Sequence, residues 1–164
     1  MLQHNLLDGN PFAVLTAIVA PAILTNASSV LALGTANRLG RVVDRTRIVA
    51  KNLAGFSPDS VEHGAWMAQL QALRVRSHML VKALRLFYAA LGLFASSAFV
   101  SLGGAIAAFY GQRVPFLAAA ALAILTGGAA VAGLSLGCAQ MIRETQLAVK
   151  SLADEAAIQI RLTA

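Results

Sequence analysis

The feature that most constrains this chain is a long uncharged stretch near its N-terminus that ends abruptly in basic residues. No charged side chain occurs between Asp8 and Arg38. A bilayer core about 30 Å thick is crossed by about 20 apolar residues in a helix. The stretch therefore predicts a membrane-spanning helix that leaves the lipid at its basic end. Five basic residues follow it within about four turns of helix: Arg38, Arg41, Arg45, Arg47 and Lys51.

The composition agrees with a membrane protein. Of the 164 residues, 58% are hydrophobic and 12% are charged, whereas about a quarter of the residues in soluble domains are charged. The net charge is +6, but the basic residues cluster beside apolar segments. This arrangement favours anionic lipid headgroups as partners and argues against nucleic acid.

Apolar and basic segments alternate along the whole chain and predict its organisation. The fold class we expect is an all-α integral membrane protein, with three transmembrane helices whose cytoplasmic helical extensions form a small helical bundle. The chain would be a single membrane domain. Its predicted segments are a first span at about 11–37, a cytoplasmic helical hairpin at about 38–85, a second span at about 86–109, a third span at about 115–142, and a cytoplasmic C-terminal helix at about 143–162.

The predicted extensions carry apolar stripes at three- and four-residue spacing, which is typical of helices that pack on one another. Between the first two, Ser57 is expected to cap the second helix, with Pro58 at its first position. We expect the three stripes to be buried together. They comprise Leu39, Val42, Val43, Thr46, Val49, Ala50 and Leu53 in the first extension, Trp66, Leu70, Leu73, Ser77, Leu80 and Leu84 in the second, and Ile142, Thr145, Val149, Leu152, Ala156 and Gln159 in the third.

The distribution of Lys and Arg predicts the orientation. Segment 38–85 contains nine of these residues, the C-terminal tail three, the short loop between the last two spans one, and the N-terminal segment none. Basic residues accumulate on the cytoplasmic side of membrane proteins. We therefore expect a multi-pass protein of the bacterial inner membrane, with its N-terminus outside and its C-terminus in the cytoplasm.

Two sets of small or polar residues in the predicted spans suggest contacts inside the membrane. Thr25, Ser28 and Thr35 lie on one face of the first span, with Asn26 beside it, and such groups seek water or protein in lipid. They predict either the lining of a pore in a homo-oligomer or tight helix packing. Gly133 and Gly137, four residues apart, let helices approach closely. Packing within the chain and contact between subunits both remain open for them.

The charged residues after the first span allow two interpretations. Asp44 has Arg41 and Arg47 three residues away on either side, so it forms either a local helical ion pair or part of a charge network that joins helices at the membrane edge. Arg38, Arg41 and Arg45 share a helix face. They are suited to hold lipid phosphates.

This segment also carries a resemblance to a known family. The pattern N-R-L-x-R-x-x-D-R-x-R is matched by Asn37, Arg38, Leu39, Arg41, Asp44, Arg45 and Arg47, and Ala20-Pro21-Ala22 precedes it in the first span. In these residues the chain resembles a bacterial membrane-protein family called domain of unknown function 2721. The resemblance also covers the three-span layout, from Pro11 to about Leu152. It implies that the motif matters at this location, and it supplies no reaction.

Patterns typical of catalysis are missing from the sequence. It contains no glycine-rich phosphate-binding loop, no cluster with metal-ligand spacing and no nucleophile motif. We therefore predict no enzymatic activity, no cofactor and no metal site. The leading hypothesis is an inner-membrane homo-oligomer that acts as an ion channel or pore lined by the polar face of the first span. The alternative is a non-conducting scaffold or accessory protein whose cytoplasmic helices bind a protein partner.

Overall fold

In a computed structural model, residues 12–163 of the chain form three long helices. The structure describes the backbone of residues 12–163 and the side chains of residues 19, 21–151 and 153. Helix α1 comprises Phe12–Leu53, α2 Val61–Phe109 and α3 Arg113–Thr163. No β-strand occurs among the described residues, so the prediction of an all-α fold is confirmed. The predicted start of the first span at Pro11 lies outside the described residues.

Each predicted span is continuous with its predicted extension. The uncharged stretch and the basic segment after it form the single helix α1, which passes through Pro21 without a break. The Thr25 hydroxyl donates a hydrogen bond of 2.8 Å to the carbonyl of Pro21. Helix continuity also holds across residues 85–86 in α2 and 142–143 in α3.

The turn between α1 and α2 differs from the prediction. Helix α2 begins at Val61, and its N-cap is Ser60, whose hydroxyl accepts a 3.1 Å hydrogen bond from the backbone N–H of His63. The carbonyl of Ser57 instead accepts the N–H of Ser60 at 3.0 Å. The predicted cap at Ser57 is therefore wrong. The fixed φ of Pro58 suits the second position of a β-turn as well as the first position of a helix.

The turn between α2 and α3 is tighter and depends on glycine. Gly111 has a φ of 70°, in the left-handed region that costs glycine nothing. Its N–H donates to the carbonyl of Ala108 at 3.0 Å, and the N–H of Gln112 donates to that of Ala107 at 2.9 Å. This pair of bonds is the Schellman ending of a helix, and α3 starts immediately afterwards.

The chain divides into two compact units, and every helix contributes a segment to each. Unit 1 comprises Met1–Leu31 and Leu86–Ser135, and unit 2 comprises Ala32–Arg85 and Leu136–Ala164.

Unit 1 has a core of small and aromatic side chains, and its helices approach closely. Ala90, Phe94 and Ala130 form the buried centre. A Cβ placed on Gly104 of α2 would lie 3.0 Å from that of Ala119 in α3. The Ser97 hydroxyl donates a 2.9 Å hydrogen bond to the carbonyl of Ala123 on α3. Large apolar side chains such as Phe99, Ile124 and Leu125 face outward.

Unit 2 has an aliphatic core that matches most of the first two predicted stripes. Val43 and Ala50 of the first stripe are exposed, so their predicted burial is wrong, because each is turned by about 100° from the buried residue before it. Val42 and Val49 of α1 are buried against Leu70, Leu73 and Leu80 of α2. Partly buried residues that complete this cluster are Leu39, Leu53, Trp66 and Met141.

The predicted stripe of α3 is out of phase with the structure. Ile142 and Val149 are 60% and 63% exposed, whereas Met141 is half-buried and Glu144 is buried. The inward face of α3 therefore lies one residue earlier than predicted, because Glu144 packs inward to meet arginines of the other two helices. The remaining predicted positions, Leu152, Ala156 and Gln159, lie outside the described side chains.

Two helices of the described residues are long and apolar enough to cross a membrane. The segments are Val61–Phe109 and Arg113–Ser151. Helix α1 is not among them, and the side chains of residues 12–18 lie outside the described ones. Length and composition therefore support two of the three predicted spans.

Candidate functional site

A buried carboxylate in unit 2 joins side chains from all three helices. The Glu144 side chain on α3 is only 3% exposed. Its Oε1 accepts a 2.9 Å hydrogen bond from Nε of Arg76 on α2, and its Oε2 lies 3.7 Å from Nη1 of Arg38 on α1. The same Nη1 donates to the hydroxyl of Thr145 at 3.2 Å.

The positions of Arg76 and Glu144 follow from the packing of the core residues one turn before them. Arg76 follows the buried Leu73 by three residues, and Glu144 follows the half-buried Met141 by three, so each lies one turn beyond a core position. Removing a carboxylate from water costs several kcal/mol unless charged partners compensate for it. Two guanidinium groups supply that compensation here, and the result is an ionic contact that links α1, α2 and α3.

The arginines surround an open pocket of about 330 Å³ beside this carboxylate. Four arginines face a single glutamate, so the pocket carries an excess of positive charge. Arg41 and Arg45 are exposed, and neither has a hydrogen-bond or ion-pair partner within the described part of the chain. The pocket can therefore bind an anion. Its lining consists of Arg38, Arg41, Val42, Arg45, Leu73, Arg76, Glu144, Thr145 and Ala148.

The predicted charge motif is divided between this pocket and the solvent. Arg38, Arg41 and Arg45 line the pocket together, in line with their predicted common face. Asp44 lies 3.8 Å from Arg47, and their side chains are 72% and 78% exposed. This contact is the local helical pair, which is the first of the two interpretations of Asp44. The acid that connects the helices is Glu144.

The predicted polar face of α1 is largely turned into the chain. In unit 1, the fully buried Ser28 donates its hydroxyl to the carbonyl of Leu24 at 2.8 Å. In unit 2, the buried Thr35 has its hydroxyl 3.5 Å from the sulfur of Met141. Thr25 is half-buried and Asn26 is exposed. The four residues therefore do not form one exposed lining in a single copy of the chain.

The two glycines of α3 are placed within the chain. A Cβ on Gly133 would lie 3.8 Å from Ala90 and from the carbonyl of Leu86, both in unit 1. Gly137 is buried in unit 2. Their surroundings agree with packing inside one copy of the chain.

Sequence reasoning missed the central residue of the site. Glu144 is the only acid between Glu62 and Asp154, and it directly follows the third apolar segment. A lone acid at the end of an apolar helix, opposite several arginines, was the signal that could have identified it. In the sequence, Arg76 is distinguished only as one of the nine basic residues of segment 38–85.

The described side chains contain no group of three or more His, Cys, Asp or Glu residues that could hold a metal ion. The absence of a cofactor and of catalysis stays a prediction.

Comparison with the curated proteins and with the solved structures gives no significant match. The chain does match a family model described as "Protein of unknown function (DUF2721)" over residues 18–153. This range includes nearly all of α1, the whole of α2 and every residue of the arginine pocket. The chain belongs to this family, as its N-R-L-x-R-x-x-D-R-x-R motif predicts.

Proposed function

We propose that the protein is a non-catalytic, multi-pass protein of the bacterial inner membrane that holds the phosphate of an anionic lipid headgroup in its arginine pocket. The observation that carries this proposal is the pocket itself, in which Glu144 engages Arg38 and Arg76 while Arg41 and Arg45 remain without a partner among the described residues.

The proposed topology has three spans, an outside N-terminus and a cytoplasmic C-terminus. Helices α2 and α3 meet the length and hydropathy of membrane spans, and the uncharged stretch of α1 adds a third. The excess of Lys and Arg in segment 38–85 supports the orientation. In this topology the pocket lies at the cytoplasmic edge of the membrane, because Arg38 and Glu144 each follow the apolar segment of their helix.

The chemistry of the pocket suits a phosphate group. A guanidinium presents parallel N–H donors that match two phosphate oxygens. Glu144 holds Arg38 and Arg76 in place and offsets part of their charge, so Arg41 and Arg45 are the groups that bind the ligand.

The lining and the location favour a lipid over a free ion. Val42, Leu73 and Ala148 give the pocket an apolar wall beside its arginines, which suits the glycerol region of a lipid. Basic pockets between spanning helices on the cytoplasmic side are known sites for anionic headgroups. A free phosphate ion would use the arginines alone.

The two functions expected from sequence have less support. A pore lined by α1 needs exposed polar groups, but Ser28 and Thr35 are buried in the chain. A scaffold that binds a partner through the stripes needs them unoccupied, but Leu70, Leu73 and Leu80 are buried in unit 2. Conductance and partner binding both stay predictions.

The test compares lipid binding by two kinds of variant. Protein in detergent is mixed with phosphatidylglycerol and phosphatidylcholine, and bound lipid is identified by native mass spectrometry. Each hydrogen bond to a charged phosphate contributes about 1.5 kcal/mol, so the double variant Arg41→Gln/Arg45→Gln should bind phosphatidylglycerol on the order of a hundredfold more weakly. Arg47→Gln/Lys51→Gln is the matched control, since it removes two exposed positive charges from the same helix outside the pocket, and its loss should be much smaller.

Two results would contradict the proposal. Equal losses in the control and in the pocket variant, which remove the same number of charges, would mean that general surface charge, and not the pocket, attracts lipid. Displacement of the lipid by inorganic phosphate at equal concentration would assign the pocket to a free anion.

A further inference from the structure

One face of α1 in unit 1 is exposed from Val19 to Val30 and carries an amide among apolar side chains. We call this face the exposed seam of α1, and it consists of Val19, Ile23, Asn26 and Val30. These residues are spaced by four, three and four positions, which is the spacing of helices that pair along a seam. Ile23 and Val30 are both 63% exposed. The next residue at this spacing in the sequence, Leu33, is also exposed.

The opposite face of α1 is already in use. Leu24 packs against the core of unit 1, and Ser28 is fully buried with its hydroxyl bonded to its own helix. Asn26 and Ser28 are two residues apart, so their side chains point about 200° apart around the helix. The exposed seam is therefore a second, separate contact surface.

Asn26 makes this surface unsuited to lipid. Its amide has no hydrogen-bond partner within the described part of the chain. It lies twelve residues before Arg38, so a span that ends at Arg38 carries the amide about 18 Å into the hydrocarbon. An asparagine there seeks a polar partner on another helix.

We propose that the exposed seam of α1 contacts the same seam of a second copy of the chain, with the two Asn26 amides hydrogen-bonded to each other. The inference rests on the proposed function only for the location of α1 in the membrane. Copies inserted in one orientation are related by an axis along the membrane normal, so identical residues meet at equal depth. An amide is self-complementary, because it offers both donors and an acceptor.

The residues that flank Asn26 suit contact with a second copy of the chain better than contact with a different protein. Val19, Ile23 and Val30 repeat above and below the amide at seam spacing, and the seam contains no charged side chain that would be repelled by its own copy. A single amide in an apolar seam fixes the register and number of helices that pair.

The first test measures self-association in liposomes by energy transfer between labelled copies. Asn26→Leu should weaken association on the order of tenfold, because it removes the hydrogen bonds between the two helices. Asn26→Gln, which keeps the amide, should retain most of it. The matched control is Ser96→Leu, at an exposed position of α2 whose hydroxyl bonds to its own helix, and it should associate normally. Unchanged association in Asn26→Leu would overturn the proposal.

The second test is oxidative cross-linking of a Cys138→Ser protein. Ile23→Cys, which lies on the exposed seam and leaves Asn26 intact, should give a covalent dimer, and Ser96→Cys should not. An Ile23→Cys thiol that reacts with a water-soluble maleimide would show that α1 does not span, which would refute the topology. A thiol shielded from the maleimide that gives no dimer would refute the seam alone. Neither result depends on the arginine pocket.

Discussion

Unit 1 and unit 2 are built from the same three helices, yet their cores use different side chains. Unit 1 is held by Ala90, Phe94 and Ala130, by the close approach at Gly104 and by the hydrogen bond from Ser97 to the next helix. Unit 2 is held by valines and leucines and by the buried Glu144 with its arginines.

The difference follows from the solvent that each unit is proposed to meet. In lipid, burying a leucine gains little, because the lipid tails are as apolar as the side chain, so helices associate through small residues and hydrogen bonds. In water, burying apolar area contributes about 25 cal/mol per Å². Unit 1 has the first kind of core and unit 2 the second. A single helix thus changes its packing chemistry along its length.

The largest expected effect concerns the ionic contact of unit 2. Glu144→Gln leaves the half-buried Arg76 without its counter-charge, so we expect a loss of about 3 kcal/mol in the free energy of unfolding. The matched control is Asp44→Asn, which removes the acid of an exposed pair and should cost less than about 0.5 kcal/mol. Denaturant unfolding in detergent, followed by circular dichroism, measures both.

A double variant sharpens this comparison. Arg76→Met combined with Glu144→Leu replaces the buried charges with apolar groups and should recover most of the stability. Equal stability of Glu144→Gln and Asp44→Asn would contradict the role assigned to the buried carboxylate.

A somewhat smaller effect is expected in unit 1, where two adjacent glycines form a natural pair. Gly104→Leu places a side chain where a Cβ already lies 3.0 Å from Ala119, so we expect a loss of about 2 kcal/mol from overpacking. Gly103 has nothing within 4 Å of its Cβ position, and Gly103→Leu should be neutral or stabilising because glycine is a poor helix former. Unfolding in the same detergent measures both, and equal losses would argue against close packing of α2 on α3.

The accuracy of the sequence predictions depended on which force determines each element. Apolar periodicity identified the buried faces of α1 and α2, such as Val49 and Leu80, because leucine and valine burial decides those contacts. In α3 the same reasoning chose Ile142 and Val149, but an ion pair from Glu144 decides the helix phase there. Hydropathy patterns do not report pairings between distant charges.

The candidate site was predictable in part for the same reason. Arg38, Arg41 and Arg45 could be placed on one face from their spacing along a single helix. Their companions Arg76 and Glu144 lie on other helices, 38 to 106 positions away from Arg38. Only the packing of three helices brings them together. Spacing along the sequence does not show which residues of different helices come into contact.

The central claim is that unit 1 meets lipid and unit 2 meets water, and spin labelling in liposomes tests it most directly. In a Cys138→Ser protein, labels are attached at Phe99→Cys in unit 1 and at Met67→Cys in unit 2, both exposed positions. The account predicts that oxygen, which concentrates in lipid, relaxes the label at position 99 more strongly, and that a water-soluble nickel complex relaxes the label at position 67 more strongly. Equal access of the nickel complex to both labels would contradict the account.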